Sequence, residues 1–262
     1  MFTRSLEKAR EAYKNKDKKA SISAHSKNVG CKENHKKGGE YLKSAVYGGL
    51  DGIITTFAVV AGVAGASLSV GIVIILGFAN LLADGISMAI GDYLSTKSER
   101  EYHSSERKRE QWEAENYPEG EKRELIEIYV NKGVPLNDAK SIANIISKHK
   151  KAWVDIMMVD ELGILDSNES PLKNAIVTFF SFCLFGFIPL LAFVITSMFP
   201  FIQSVQFQVA TILTGLTLFT LGSLKTKFTG RNWIVSGIEM LLIGGLAAGA
   251  AYGIGILLGG FA

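Results

Sequence analysis

Cysteine and proline are scarce in this 262-residue sequence, which contains two cysteines and five prolines. Cys31 lies in a charged N-terminal region and Cys183 lies inside an apolar stretch, so we expect no disulfide bond. The first 43 residues contain no apolar segment of the signal-peptide type, and no signal peptide is expected. The sequence also shows no phosphate-binding loop and no pairing of a nucleophile with a base. It therefore does not predict an enzyme. No nucleic-acid partner is expected either.

Hydrophobic residues, by contrast, are abundant. They make up 48% of the chain and the mean hydropathy is +0.22, although 20% of the residues are charged. The two kinds of residue are segregated, and five long apolar stretches result. These stretches are Ser44–Ala64, Val70–Tyr93, Asn174–Ser197, Val205–Leu224 and Trp233–Leu258. Each provides the roughly 20 helical residues that cross a lipid bilayer. The predicted fold is an all-α polytopic membrane protein with five transmembrane helices.

Basic residues are absent from two of the connections between these stretches. Twelve of the 28 Lys and Arg residues lie in residues 1–43, thirteen in residues 94–173 and three between the fourth and fifth stretches. Basic segments stay in the cytosol, so the N-terminus is predicted to be cytosolic and the C-terminus lumenal. The predicted organisation is a basic tail (1–43), two transmembrane helices (44–93), an inserted cytosolic helical domain (94–173) and three further transmembrane helices (174–262).

Four carboxylates lie inside the apolar stretches, namely Asp51, Asp84, Asp92 and Glu239. An ionisable residue at the centre of a membrane helix costs about 2.5–3.5 kcal/mol, so each is a candidate functional residue. Asp92 is near a helix end, where an interfacial position is an alternative, and Glu239 has a packing hydrogen bond as its alternative. Asp51 in the first helix and Met88 in the second lie at similar predicted depths and form a candidate metal pathway.

One long helix is predicted from Val70 to the residue before Pro118. At about 100° per residue, a single arc on this helix collects acidic and metal-capable side chains, here called the acidic rail. The rail consists of Asp84, Met88, Asp92, Ser95, Glu99, His103, Glu106, Glu110 and Glu113. Like charges at these spacings destabilise an isolated helix, and a bound cation is the simplest compensation. The alternative is a solvated helix face, with Arg109 outside the arc and paired with Glu113.

The remainder of the inserted domain is predicted to contain three further helices. An acidic helix starts at Pro118 and carries Glu121 and Glu124, a second runs to about Lys150 with Asn137 or Asp138 as its N-cap, and a short third helix ends in a Met-Met-x-x-Glu motif. That motif comprises Met157, Met158 and Glu161. Carboxylates combined with thioethers favour borderline divalent ions such as Fe(II), Co(II) or Zn(II), without choosing among them.

The chain resembles the vacuolar iron transporter family over about residues 40–260. The motifs that carry the resemblance are Gly-Gly-Leu-Asp-Gly at residues 48–52, Ser-Met-Ala-Ile-Gly-Asp-Tyr at residues 87–93, two Glu-x-x-Glu pairs starting at Glu110 and Glu121, and Met157-Met158-x-x-Glu161. The lysine-rich tail is similar to the tails of family members from protozoan parasites.

This resemblance implies a homodimer that exchanges cytosolic Fe(II) for lumenal protons, with the pathway between the subunits. In such a protein Asp51 and Met88 would contact the metal in the membrane, and Glu40 would lie near the cytosolic entrance. Asp84 is outside the family pattern and is retained on the helical argument alone. The implied cytosolic metal ligands are Glu110, Glu113, Glu121, Glu124, Met157, Met158 and Glu161.

The expected partners are divalent metal ions, protons and lipid, and no permanent cofactor is predicted. Ferrous iron is the expected cargo, with Mn(II), Co(II) and Zn(II) as the other ions considered, and a vacuolar or related endomembrane is the expected location. Two alternatives stay open: a manganese or zinc transporter of the same architecture, and a membrane-anchored metal sensor or store. Gly-x-x-x-Gly spacing on the first and fifth helices fits close helix packing, either between subunits or within one.

Overall fold

The chain is built from helices. The structure is a computed structural model that describes residues 11–20, 41–165, 169–198, 205–229 and 231–261. Within these ranges there are no strands, and the main helices are α1 (Leu42–Gly65), α2 (Val70–Asn116), α3 (Pro118–Asn131), α4 (Leu136–Ile146), α5 (Lys150–Asp160), α6 (Pro171–Met198), α7 (Gln206–Thr229) and α8 (Trp233–Leu258). A 3-10 turn, Gly259–Phe261, follows α8. The prediction of an all-α fold is confirmed.

Five of these helices, α1, α2, α6, α7 and α8, are long and apolar enough to cross a membrane. They occupy the positions of the five apolar stretches, so the prediction of five membrane helices is also confirmed. Apart from the continuation of α2, the boundaries agree to within three residues except at the end of α7. Helix α7 continues to Thr229, which places Lys225 and Lys227 in its last turns rather than in the predicted connection.

Helix α2 is a single unbroken helix of 47 residues. At 1.5 Å per residue it is about 70 Å long, more than twice the thickness of a hydrocarbon core. Its apolar part covers residues 70–93, and its charged part, residues 94–116, is here called the stalk. The prediction of one unbroken helix from the apolar stretch through the charged segment is confirmed. Helices α3 and α5 pack against the stalk.

Helices α1 and α6 pack backbone to backbone through glycine. A Cβ atom at Gly48 would lie 2.6 Å from the carbonyl oxygen of Thr178, and one at Gly52 would collide with the carbonyl of Phe182. Only a residue without a side chain fits at these two positions. The Gly-x-x-x-Gly spacing on α1 therefore serves contact within one chain.

The corresponding spacing on α8 has a different environment. A Cβ atom at Gly245, Gly249 or Gly253 would have no described atom within 4 Å. These three glycines consequently face away from the rest of the chain, whereas Gly255 on the same helix would collide with the backbone of Gly62 on α1. The two glycine patterns that look alike in the sequence thus have opposite surroundings.

Helices α3, α4 and α5 form a small bundle against the stalk. Leu125, Ala143, Trp153 and Met157 form its hydrophobic core, and each is no more than 2% exposed. Ion pairs hold its edges. Arg107 lies 2.5 Å from Asp155, and two further pairs between different elements join Lys132 to Asp160 and Lys150 to Glu115.

Two local predictions about this bundle are wrong. Helix α4 ends at Ile146 rather than near Lys150, because His149 and Ser147 close the turn with backbone hydrogen bonds to Ile146 and Ala143. Its N-cap is Pro135, and neither Asn137 nor Asp138 caps it, since both are already inside the helix. The fourth extramembrane helix, α5, carries Trp153 and Met157 as predicted, and Glu161 is its C-cap.

Candidate metal centre

A sharp reversal between α2 and α3 brings two acidic helices together. The stalk ends at Asn116, Tyr117 leaves the helical conformation, and Pro118 starts α3. Proline suits this first helical position because it has no N–H to satisfy there. The first turn of α3 therefore lies beside the last turns of α2, and it carries Glu119 and Glu121 near its positive end, where carboxylates are favoured.

Five carboxylates meet at this reversal in two adjoining groups, which together are called the carboxylate cluster. The first group is Glu110, Glu113 and Glu121, and the second is Glu121, Glu124 and Glu161. Within each group, one oxygen from each residue lies within 4.8 Å of the others. Glu121 belongs to both groups, so the two adjoin. All five of the predicted extramembrane carboxylate ligands are thus brought together from three different helices.

Two members of the cluster are buried without adequate hydrogen bonding. The side chain of Glu110 is 1% exposed and Glu121 is 4% exposed. Among the described residues, no hydrogen-bond donor reaches either side-chain oxygen of Glu110 or Oε2 of Glu121, and these three oxygens are also shielded from solvent. A carboxylate in such surroundings is costly unless it is protonated or paired with a cation. The cluster therefore has the chemistry of a cation site.

The burial also changes the proton affinity of these groups. It raises the pKa of Glu110 to about 7, with the neighbouring charge of Glu161 adding to the effect and Arg109 opposing it. Burial likewise raises the pKa of Glu121 to about 7, and Glu110 and Glu124 are the next causes. Burial and then Glu124 raise the pKa of Glu161. Mutual repulsion of this kind is what a shared divalent cation would relieve.

Among the described residues, the basic side chain in direct contact with the first group is that of Arg109. Its guanidinium lies 2.5 Å from Glu113, 3.0 Å from Glu106 and 2.7 Å from Oε1 of Glu110. The contact with Glu110 lacks the geometry of a hydrogen bond, which is why the Glu110 oxygens remain unsatisfied. The predicted Arg109–Glu113 pair exists, and the two further contacts were not predicted.

The two predicted thioether ligands lie in hydrophobic surroundings. Met157 is 1% exposed and belongs to the core formed with Leu125 and Trp153, and Met158 is 2% exposed and packs with Val154 and Ile164. Ala114 of the stalk contacts both of these clusters. Both methionines therefore hold α5 against the stalk next to Glu113, and their role as metal ligands stays a prediction.

Within the membrane-spanning part, the predicted pathway residues lie on α1 and α2. Asp51 is partly buried and Asp84 is exposed, and the two are close enough for their charges to interact. Met88 packs against the hydrophobic core of the membrane helices. Thr55, one turn after Asp51, accepts a hydrogen bond from Asn80 at 3.5 Å, which ties α1 to α2 at this level. A pathway role for Asp51, Met88 and Asp84 stays a prediction.

Asp92 lies in a polar network that connects α2 to α6. Thr178 donates a hydrogen bond of 2.5 Å to its Oδ2, and Thr96 donates a longer one of 3.5 Å to its Oδ1. Asn174 donates to Thr96 at 3.2 Å. The sequence reasoning missed Thr178 and Asn174, although two polar residues four apart in an apolar helix were a usable signal. The carboxylate of Asp92 is thus held in place by α6.

Two further acidic residues singled out in the sequence are Glu239 and Glu40. Glu239 on α8 lies 3.5 Å from Lys225 on α7, so its charge is paired with that of a neighbouring helix. Glu40, predicted near the cytosolic entrance, lies outside the described residues.

Fold and site together define a class of protein: a polytopic α-helical membrane protein with an extramembrane carboxylate cluster suited to a divalent cation. The family can be stated more narrowly. The chain belongs to the VIT family, whose model matches residues 42–256. Predicted membership of the vacuolar iron transporter family is thereby confirmed, with motifs 48–52 and 87–93 both inside the matched region.

Individual relatives agree with this assignment. The chain is 43% identical to the vacuolar iron transporter of Toxoplasma gondii over 97% of this chain and 89% of that protein. It is 39% identical to the one of Plasmodium falciparum, with 98% of each covered. Against vacuolar iron transporter 1 of Arabidopsis thaliana the identity is 35%, covering 84% and 87%. The predicted likeness to protozoan parasite members is confirmed. All three relatives are named as transporters, in accord with the prediction of a protein that is not an enzyme.

Proposed function

We propose that the chain transports ferrous iron out of the cytosol into the lumen of a vacuole or a related organelle. Three relatives named as vacuolar iron transporters support the substrate and the compartment. The observation that carries the proposal is the carboxylate cluster, where Glu110 is buried with both oxygens lacking hydrogen bonds. Arg109 supplies one positive charge to the three carboxylates of the first group, and a divalent cation would supply the remaining charge and contact the oxygens that lack hydrogen bonds.

The proposed orientation follows from the distribution of charge. The 28 basic residues lie in the N-terminal tail, in the inserted domain and near the α7–α8 connection, and positive residues mark the cytosolic side. The N-terminus and the carboxylate cluster are then cytosolic and the C-terminus is lumenal. Metal would reach the cluster before it reaches the membrane.

The proposed route has three stages along α2. The cluster, with Met157 and Met158 beside it, collects Fe(II) from the cytosol. The acidic rail then passes the ion along the stalk to Asp92 and Asp84. Asp51 on α1 and Met88 complete the membrane stage, and the proximity of Asp51 to Asp84 supports it.

Proton antiport is the proposed source of energy. A carboxylate oxygen binds either a proton or a metal ion, so protonation at an acidic lumenal side lowers metal affinity and releases the ion. The same competition allows a returning proton to reset the carboxylate. This step supports net movement of Fe(II) toward the acidic compartment.

A homodimer is the proposed assembly. Asp84 is exposed on the apolar part of α2, where a bare carboxylate facing lipid would be costly and a second copy would shield it. The open glycines on α8, Gly245, Gly249 and Gly253, provide a second surface on which another helix could approach closely.

Uptake of Fe(II) into proteoliposomes with an acidic interior tests the proposal. The wild-type protein should take up Fe(II) faster with the pH gradient than without it, and Mn(II) and Zn(II) should compete less well than unlabelled Fe(II). Asp51→Ala should reduce uptake to that of vesicles without protein. Glu101→Gln is the matched control, since Glu101 is an exposed stalk acid paired with Lys97 at 3.8 Å.

Three results would count against the proposal in different ways. Wild-type uptake by Asp51→Ala vesicles would remove the membrane stage of the route. Preferential uptake of Mn(II) or Zn(II) would replace iron by another ion carried by the same architecture. Saturable Fe(II) binding without any uptake would make the protein a membrane-anchored sensor or store.

A further inference from the structure

Arg109 occupies an unusual position in the carboxylate cluster. It bears a fixed positive charge and contacts Glu113 and Glu110, two of the three members of the first group, as well as Glu106. Arginine stays charged at every physiological pH, so this cation is always available to the carboxylates. Its own side chain is 41% exposed, so the guanidinium has room to leave toward solvent while Glu110 stays buried.

A metal ion and this guanidinium need the same oxygens. The oxygens of Glu110, Glu113 and Glu121 lie within 4.8 Å of one another, a spacing suited to one cation between them. Arg109 already lies 2.7 Å from a Glu110 oxygen and 2.5 Å from a Glu113 oxygen. A metal bound by both residues would have to displace the guanidinium or lie against its positive charge. Either way the arginine weakens metal binding.

The second group of carboxylates differs in this respect. The ion pairs that the structure shows for Arg109 are made with Glu106, Glu110 and Glu113, on its own helix. Glu124 and Glu161 come from α3 and from the end of α5, and Glu121 joins them. The charge of Arg109 also acts on Glu161, but without a direct ion pair. Arg109 therefore contacts ligand oxygens of the first group directly and influences the second group only through longer-range charge.

We propose that Arg109 is a built-in competitor for the first metal group, which lowers the affinity of Glu110, Glu113 and Glu121 for a divalent cation and keeps their buried charge neutralised when no metal is bound. This inference rests on the proposed function, because it assumes that the cluster binds Fe(II). The consequence for transport is that the first group holds the ion loosely enough to pass it on.

Anaerobic equilibrium dialysis of the full-length protein in detergent against Fe(II) measures the effect. Arg109→Gln removes the charge and leaves a shorter polar side chain. It should lower the apparent dissociation constant of the first group by about five- to tenfold, the effect expected from breaking a small network of partly exposed ion pairs. The affinity of Arg109→Lys should lie between those of the wild type and Arg109→Gln, because lysine keeps the charge but lacks the planar, five-donor guanidinium that contacts three carboxylates here. Arg123→Gln is the control, since Arg123 contacts Tyr117 and the backbone of Glu119 instead.

A double-mutant cycle locates the competition. Glu113→Gln removes an ion-pair partner of Arg109. In that background, the increase in Fe(II) affinity caused by Arg109→Gln should therefore be smaller. Glu124→Gln removes a ligand of the second group and no ion-pair partner of Arg109, so in that background the increase in affinity from Arg109→Gln should persist. A gain of equal size in both backgrounds would show a general charge effect and overturn the inference.

Thermal unfolding of the same variants gives an independent readout. Without metal, Arg109→Gln should unfold at a lower temperature than the wild type, because Glu110 loses its nearest cation, and Fe(II) should raise its unfolding temperature by more. Should Arg109→Gln fail to fold without metal, Arg109→Lys carries the test. Unchanged or weaker Fe(II) binding in a folded Arg109 variant overturns the competitor role alone. Absence of Fe(II) binding by the wild type overturns the proposed function as well.

Discussion

Glu110 and Glu121 exchange protons close to neutral pH, since burial raises the pKa of each to about 7 from an ordinary value of 4.5. Between pH 4.5 and about pH 7, the folded, metal-free protein binds more protons at these two carboxyls than the unfolded chain does. These carboxyls therefore contribute stability that is fully present below pH 4.5 and is lost as the pH rises through about 7. At higher pH the cluster is charged, and a cation becomes the stabilising partner.

Metal affinity should follow the opposite trend. Lowering the pH from about 8 to about 6 should weaken Fe(II) binding by up to about tenfold per pH unit for each proton that must leave the ligands. Dialysis against Fe(II) at a series of pH values measures this slope. Glu110→Gln should bind Fe(II) more weakly and with a flatter slope, because one titrating ligand is gone. Wild-type affinity that stays constant across this range would contradict the raised pKa values.

Residue positions on a helical wheel were enough to find Glu110 and Glu113 but not the role of Arg109. The wheel reports where a Cβ atom points, and Arg109 points outside the acidic arc. Its long, flexible side chain nevertheless reaches back to carboxylates one, three and four positions away. The burial of Met157 and Met158 in hydrophobic clusters was equally beyond the sequence, since methionine serves both as a ligand and as core filler.

Between elements, the contact of α1 with α6 is the closest that glycine makes possible. Gly52→Ala should destabilise the protein, because the new methyl group would collide with the backbone carbonyl of Phe182 and the helices would have to separate. A fall in the thermal unfolding temperature of the detergent-solubilised protein is expected. Gly91→Ala is the control: a Cβ there meets no atom within 4 Å, and alanine favours a helix interior by about 1 kcal/mol. Equal stability of both variants would contradict the packing.

The lengths and positions of the helices could be predicted from the sequence. Which helices pack against each other could not. Twenty apolar residues in succession have one stable form in lipid, so the five spans and the unbroken α2 could be predicted. A Gly-x-x-x-Gly pattern predicts only that another helix packs closely against that face. On α1 that helix is α6 of the same chain, whereas on α8 the pattern is open, and no local feature of the sequence distinguishes the two.

At the scale of the whole molecule, the predicted sidedness can be tested by thiol labelling. After Cys31 and Cys183 are replaced by serine, a cysteine at Leu68, in the α1–α2 connection, should react with an impermeant reagent only from the lumenal side. A cysteine at Lys148, in the α4–α5 connection, should react only from the cytosolic side. The physical reason is the retention of basic segments in the cytosol. Labelling of both positions from the same side would refute the five-span topology.

Because α2 is continuous, a small tilt at its membrane end produces a larger displacement at its far end. Asp84 and Glu110 are 26 residues apart on one rod, a separation of about 39 Å at 1.5 Å per residue. A tilt of about five degrees at the membrane end would therefore swing the far end by about 3 Å, as much as separates a bonded ion pair from a broken one. Because α2 is one uninterrupted helix, a tilt of its membrane part is carried along the stalk to the carboxylate cluster.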